Sequence, residues 1–254
     1  LDATATVKAR LKIPVVGVGR IVDPGEAEAY LTEGKLDFVG MARALVSDAR
    51  WGAKALSGDA EKIRPCVGAN WCMSTIFAQA PIGCIHNPSA GRELELDEDT
   101  LEPAETPRKV AVVGGGPGGM RAAWTLARRG HAVTLYEARQ RLGGQVRWWA
   151  KADSRTELVG IVDWLEARLG DEDIDIRLNT RATEADLAGF DAVVIATGST
   201  GLRHGWTMLR PEKWGGDPLP GADLPHVMAY SELLETDPVV GKRVVVFDTM
   251  GGRQ

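Results

Sequence analysis

The chain has 254 residues, 44% of them apolar, with a formal charge of −5 and a pI near 5.5. That length and composition allow one or two domains with a sizeable core, while the acidic balance offers no basic face and argues against a nucleic-acid partner. No apolar run approaches the roughly 20 residues a membrane-spanning helix needs, and charges stand where a signal peptide would carry its apolar stretch.

In chain order, "PVVGVG" at 14–19 predicts a buried parallel strand. "DPGEAEAYLTEG" predicts a helix: Asp23 is a natural N-cap, Pro24 suits the first helical position, Glu26 completes a capping box, and Gly34 ends the run. "LDFVGMAR" is the next strand and turn, and "SDARWGAKAL" the next helix. Strand, helix, strand and helix within 60 residues imply parallel β/α units, and two such units cannot close a core by themselves.

Residues 61–106 lack clear periodicity and hold all three cysteines, Cys66, Cys72 and Cys84, spaced C-x5-C-x11-C. Clustered thiols without an export signal suggest metal ligands in a reducing, cytoplasmic setting more than a disulfide framework. The alternative is that they are simply buried, as free cysteines often are. The acidic run "GRELELDEDTLEPAETP" reads as a linker, with Pro103 and Pro107 marking its boundary. There are no internal repeats.

From Lys109 the texture becomes that of a doubly wound α/β fold, with strands "KVAVV", "HAVTLYE", "IDIRLN", "DAVVIATG" and "KRVVVFD". Gly114, Gly116 and Gly119 form G-x-G-x-x-G after the first strand and before a helix, the context that gives this motif its meaning. The first glycine permits the tight turn, the second lets backbone approach a pyrophosphate, and the third allows close helix–strand packing. Glu137 ends the second strand, 18 residues past Gly119, placed to accept from ribose hydroxyls and to repel a 2′-phosphate. A glycine-rich turn with no ligand is the alternative.

Two further features accompany that motif. Gly143 and Gly144 follow Glu137 as E-x5-GG, and Thr197 with Gly198 closes the strand "VVIATG". Alone, the glycine pair would be an ordinary loop turn. Together with the first motif, these resemble the two-dinucleotide-fold flavoprotein disulfide-reductase superfamily, which implies an FAD or ADP site.

The order of parts carries a wider resemblance. "VVGVGRI", "FVGMARALVSD", "RPCVGANWCM", "CIHNPSAGRE" and "KVAVVGGGPGGMRAA" follow one another as in the iron–sulfur flavoprotein family of trimethylamine dehydrogenase and 2,4-dienoyl-CoA reductase, an NADH:flavin oxidoreductase, Old Yellow Enzyme-like family. The resemblance covers nearly the whole chain. It implies an internal fragment: residues 1–60 as the last two β/α units of an FMN-binding TIM barrel, 61–106 as an iron–sulfur segment and linker, and 107–254 as an FAD/ADP-binding domain. Within the last, 241–254 would open a second, degenerate nucleotide-binding unit, with Asp248 and Met250 where its first two glycines belong.

By the same resemblance, Gly19, Arg20, Gly40, Ala42 and Arg43 stand where the FMN phosphate is held, and such barrel loops commonly bind phosphate. Surface salt bridges are the other reading of the two arginines. Family members bind a [4Fe–4S] cluster through C-x2-C-x2-C-x(11–12)-C. Cys66, Cys72 and Cys84 match three of those ligands and Ala69 takes the place of the fourth, which leaves a [4Fe–4S] cluster with a substitute ligand such as His86 or Asn70, a [3Fe–4S] cluster, or no cluster. The family's catalytic residues lie in strands this chain does not include, so none is named. The implied function is a flavin-dependent oxidoreductase passing electrons between FMN, the iron–sulfur centre and the FAD/ADP domain. Demethylation of an N-methylated amine comes first, NAD(P)H-dependent enoate reduction second, and a non-catalytic ADP-binding module is the competing class. A small-molecule substrate, an electron-transfer protein and a second copy of the chain are the partners expected.

Overall fold

The computed structural model describes residues 1–201 and 218–247, in two parallel sheets. The first is small. After α1 (Asp2–Lys8), strands β1 (Val16–Val18) and β2 (Phe38–Gly40) pair in parallel, with Val16 opposite Phe38 and Val18 opposite Gly40. The crossover helix α2 (Pro24–Thr32) starts as predicted, with the Asp23 carboxylate accepting from the Glu26 N–H at 2.9 Å. The Glu26 carboxylate takes the Tyr30 hydroxyl at 2.7 Å, so only the Asp23 half of the capping box is present. Gly34 follows at φ +68°, the left-handed position that lets the chain leave the helix. One face of this sheet packs on Ile21, Ala27, Ala44, Trp51 and Ile63, whereas Val16, Val18 and Phe38 are each more than half exposed.

The helix predicted over 47–56 is two helices, α3 (Arg43–Ser47) and α4 (Trp51–Ser57). Asp48 separates them because its carboxylate accepts from the N–H groups of Arg50 and Arg64 and from the Lys54 ammonium. The cysteine segment then carries α5 (Trp71–Phe77) and α6 (Glu93–Leu96), with 3₁₀ turns at Ala60–Lys62 and Glu98–Thr100. The acidic run expected as a free linker is docked. Its Glu98 carboxylate pairs with both Arg64 and Arg121, and Arg129 Nε donates to the Glu102 carbonyl at 3.1 Å.

The second sheet comprises β3 (Lys109–Val113), β4 (Ala132–Tyr136), β5 (Ile174–Arg177) and β6 (Ala192–Ile195), in the order β5-β4-β3-β6 and parallel throughout. Helices α7 (Pro117–Arg128), α8 (Val146–Trp149), α9 (Val159–Gly170), α10 (Glu184–Leu187) and α11 (Tyr230–Thr236) complete it. The chain winds outward from β3 to β5 and then returns to lay β6 on the other side of β3. The β3/β6 boundary is therefore the topological switch point, where open α/β sheets bind ligands beyond the carboxyl ends of the strands. Helices α7 and α9 cover one face through Met120, Trp124, Ile161, Val162 and Leu165, joined by Val67 from the cysteine segment.

The strand predicted at "KRVVVFD" does not form: residues 242–247 have no regular structure, and Val245 and Val246 are 93% and 85% exposed. A β-branched run needs a neighbouring strand to pair with, and none among the described residues pairs with it. Asp248 and Met250 lie outside the described residues. No helix among the described residues is long and apolar enough to cross a membrane.

Candidate nucleotide and cofactor sites

The three motif glycines occupy one turn at the switch point, for different reasons. Gly114 has φ +109°, and a Cβ there would lie 2.3 Å from the Ala196 carbonyl oxygen at the end of β6. A Cβ on Gly119 would lie 1.8 Å from the Gly114 carbonyl oxygen. These two glycines let β3, β6 and α7 approach one another. A Cβ on Gly116, the N-cap of α7, would instead meet nothing within 4 Å. That open space before a 12-residue helix, with its unpaired N–H groups and positive dipole end, suits a pyrophosphate.

Glu137 is 5% exposed, and both carboxylate oxygens accept backbone hydrogen bonds, from Gly115 N–H at 2.7 Å and from Arg139 N–H at 2.8 Å. Each oxygen keeps a second lone pair for a ribose hydroxyl. The acid thus also fastens the glycine turn to the end of β4. The E-x5-GG loop joins the same assembly: Gly143 N–H donates to the Gly115 carbonyl at 2.7 Å, and Gly143 and Gly144 have φ of +105° and +52°. A Cβ on Gly144 would press on Gly116 Cα at 3.1 Å. Across the switch point, Thr197 Cα lies within 3.0 Å of where a Gly114 Cβ would stand, Gly198 has φ +73°, and Gln145 Nε2 donates to the Ser199 carbonyl at 2.6 Å. The three motifs form one rim.

Beside that rim is a cavity of about 330 Å³, lined by Arg139, Arg141, Gly144, Trp148, Asn179 and Glu235 among others, a size within the range of small-molecule sites. Glu235 comes from α11, and no sequence signal points to it.

Cys66, Cys72 and Cys84 are all free thiols and line one small cavity of about 20 Å³, together with Ala69, Asn70 and Arg43. Cys84 Sγ accepts from the His86 N–H at 3.4 Å. Among the described residues no three His, Cys, Asp or Glu side chains stand close enough to hold a metal ion, so the thiols share a cavity without converging on a centre. As they stand, these donors do not fit a four-thiolate cluster. Of the two substitute ligands, Asn70 lines the cavity, with its Oδ1 accepting from Arg43 Nη1 at 2.7 Å. The His86 imidazole does not. Its Nδ1 lies 3.1 Å from the Pro65 carbonyl, which can only accept, so Nδ1 carries the proton, and the ring meets Trp164 edge-on at 5.3 Å. Burial and the cations of Arg64 and Arg121 push the His86 pKa down to about 3.

The loops after β1 and β2 leave from the carboxyl end of the same parallel pair, where Val18 stands opposite Gly40, so Gly19, Arg20, Gly40, Ala42 and Arg43 lie at one end of this sheet. A Cβ on Gly19 would meet a Leu1 methyl at 2.9 Å and one on Gly40 would meet a Val18 methyl at 2.6 Å, so both glycines are closely packed by side chains. Arg20 stands at φ +57°, and its guanidinium forms a two-pronged pair with Glu157, in the 3₁₀ turn Asp153–Leu158, while Nη2 reaches the Cys66 carbonyl at 3.4 Å. Arg20 Nε is buried without a partner. Arg20 thereby holds the Glu157 carboxyl below the usual carboxylate range and ties the first sheet to the nucleotide fold.

The fold and the rim define a dinucleotide-binding α/β protein. Residues 112–161 match the NAD(P)-binding Rossmann-like domain family, and residues 2–62 match the NADH:flavin oxidoreductase / NADH oxidase family. The chain belongs to this flavin oxidoreductase family, of the trimethylamine dehydrogenase and Old Yellow Enzyme type. It is 38% identical to an N,N-dimethylglycine/sarcosine dehydrogenase from Chromohalobacter salexigens, over 98% of this chain and 35% of that protein. A probable N-methylproline demethylase from Rhizobium meliloti is 34% identical over 99% of this chain and 35% of its own length. The structure of 6-hydroxypseudooxynicotine amine oxidase from Pseudomonas geniculata N1 superposes with a TM-score of 0.84 at 31% identity, covering 91% of this chain and 35% of that one. The chain spans about a third of the length of these relatives.

Proposed function

We propose that this chain is part of an FMN-dependent oxidoreductase that oxidatively demethylates an N-methylated amine. Residues 1–60 are the end of its FMN-binding barrel, 61–106 its cysteine segment, and 107–254 an FAD- or ADP-binding domain. The observation that carries the nucleotide site is the open cradle at Gly116, backed by Glu137 and by the α7 N-terminus. The substrate class is supported by relatives named for dimethylglycine, N-methylproline and dimethylamine. When bound, the flavin supplies the hydride acceptor. The residues here hold the nucleotide: α7 N–H groups face the pyrophosphate, Glu137 takes the ribose hydroxyls, and Gly144 keeps the approach clear. The backbone of the Gly19–Arg20 and Gly40–Arg43 loops would hold the FMN phosphate, while the Arg20 guanidinium is committed to Glu157. Three free thiols suit a reducing, cytoplasmic setting. An electron-transfer protein and a second copy of the chain remain the partners we propose.

A relative named as a multifunctional alkene reductase/demethylase, 37% identical, favours enoate reduction as the second reading. Anaerobic mixing of the intact protein with N,N-dimethylglycine separates the two. The amine reading expects bleaching of the flavin bands and one formaldehyde per methyl lost. Bleaching by NADPH and recolouring by an enoate, with no response to the amine, would overturn it. A spectrum without isoalloxazine bands attributable to the nucleotide domain would assign ADP there in place of FAD.

In the cysteine segment, iron would require the three thiols to turn from their present places toward one centre, and Ala69 would leave that centre at most three thiolate ligands. An iron held that way has one position unguarded and exchanges readily. Ala69→Cys in the intact protein is expected to raise iron toward about four per chain, the stoichiometry of a cube with four thiolates, and to make it more resistant to oxygen. Iron analysis and electron paramagnetic resonance check this. If neither form carries iron, the cysteines are structural.

A further inference from the structure

Arg139 lies two residues past Glu137, at the point where a nearby arginine in dinucleotide folds accommodates a 2′-phosphate. Its backbone is fixed there, since its N–H donates to Glu137 Oε1 and its carbonyl accepts from Asn179 N–H at 2.8 Å. Its guanidinium already has an acidic partner at Nε. Nε donates to Glu235 Oε1 at 2.7 Å, and the group lies 4.9 Å from the Trp148 ring centroid. Glu235 is itself held in place by α11, which is anchored where Lys151 Nζ donates to the Leu234 carbonyl and Tyr230 approaches Gln145 Oε1 at 3.5 Å. Of the other cations on this cavity, Arg147 is engaged by Glu166 and the Leu142 carbonyl, and Arg141 is exposed.

We propose that Glu235 is a specificity-determining residue of the nucleotide pocket: by holding Nε of Arg139 and setting a carboxylate against its guanidinium, it neutralises the cation that a 2′-phosphate would meet beside the ribose. The pocket then disfavours 2′-phosphorylated adenine nucleotides twice, through repulsion by Glu137 and through neutralisation of Arg139 by Glu235. This rests on the reading that the cavity and rim take an adenine nucleotide. The Glu235–Arg139 pair is about half exposed, at 44% for each side chain, so it holds by proximity more than by a buried charge.

Calorimetric titration of the intact protein with ADP and with adenosine 2′-phosphate 5′-diphosphate tests it. The wild type is expected to prefer ADP. Glu235→Gln should cut that preference by about tenfold, the scale of one charge-assisted contact to phosphate at a half-exposed site. The double variant E235Q/R139Q should return the preference to the wild-type value, because the freed cation is gone. Retained ADP binding in each variant reports an intact pocket. An unchanged preference in Glu235→Gln, or equal wild-type binding of the two nucleotides through Arg141, overturns the assignment. If the wild type binds neither nucleotide, the adenine reading itself fails and Glu235 has no role in it.

Discussion

Gly119→Ala is expected to destabilise the nucleotide fold by about 3 kcal/mol or more, although alanine is the better helix former. Two effects of opposite sign meet at this position. Replacing glycine by alanine inside a helix ordinarily gains up to about 1 kcal/mol. Against that, the new methyl would stand 1.8 Å from the Gly114 carbonyl oxygen and 3.3 Å from Ala196 Cβ, so α7 must retreat from β3 and β6 together. Overpacking of a well-filled interior costs about 1–3 kcal/mol and sometimes more. The contact here is with backbone, which cannot swing aside, so the upper end applies and the clash wins. Gly118→Ala is the matched control, since a Cβ there meets nothing within 4 Å. Chemical denaturation of both variants should show Gly119→Ala far below the wild type and Gly118→Ala at or slightly above it. Equal stabilities would mean that the close approach of helix and strand is not a property of the folded protein.

Those glycines were legible in the sequence because each obeys a local rule. A G-x-G-x-x-G between an apolar strand and a helix has few other uses, and Gly114 does stand at the positive φ that the tight turn requires. Asp23 and Pro24 announced α2 in the same way, through chemistry confined to one helical turn. What remained hidden depends on partners distant in the chain. Glu157 meets Arg20 across 137 residues and Glu235 meets Arg139 across 96, and no periodicity or spacing encodes such meetings. The acidic run at 91–107 read as solvated for the same reason, since its composition does not reveal that Glu98 sits between Arg64 and Arg121. The run at 242–247 erred in the other direction: its β-branched residues state a preference for strand, but a strand exists only with a neighbour to pair with. The cysteine pattern was legible as a grouping, and the three thiols do share one cavity. Their failure to converge on a centre is a matter of side-chain distances that spacing cannot supply.

Glu137→Ala should lower the affinity for an adenine nucleotide by about 10- to 100-fold, equivalent to 1.5–3 kcal/mol for a desolvated hydrogen bond to a charged group. The buried position makes this range apply, because at 5% exposure water can neither screen the carboxylate nor replace it readily. The loss has two sources. One is the ribose contact. The other is the glycine turn, which Glu137 holds by accepting the N–H groups of Gly115 and Arg139. Glu137→Gln does not restore both, since an amide offers one acceptor oxygen and turns its NH₂ donor toward the remaining backbone N–H. Binding of inorganic pyrophosphate and of ADP, each measured by calorimetry on the wild type and the alanine variant, separates the sources. If the ribose contact dominates, ADP weakens and pyrophosphate does not. If the turn dominates, both weaken alike, because the α7 N–H groups no longer face the phosphates in register. Unchanged ADP affinity would remove Glu137 from the site and, with it, the assignment of the rim as a dinucleotide seat.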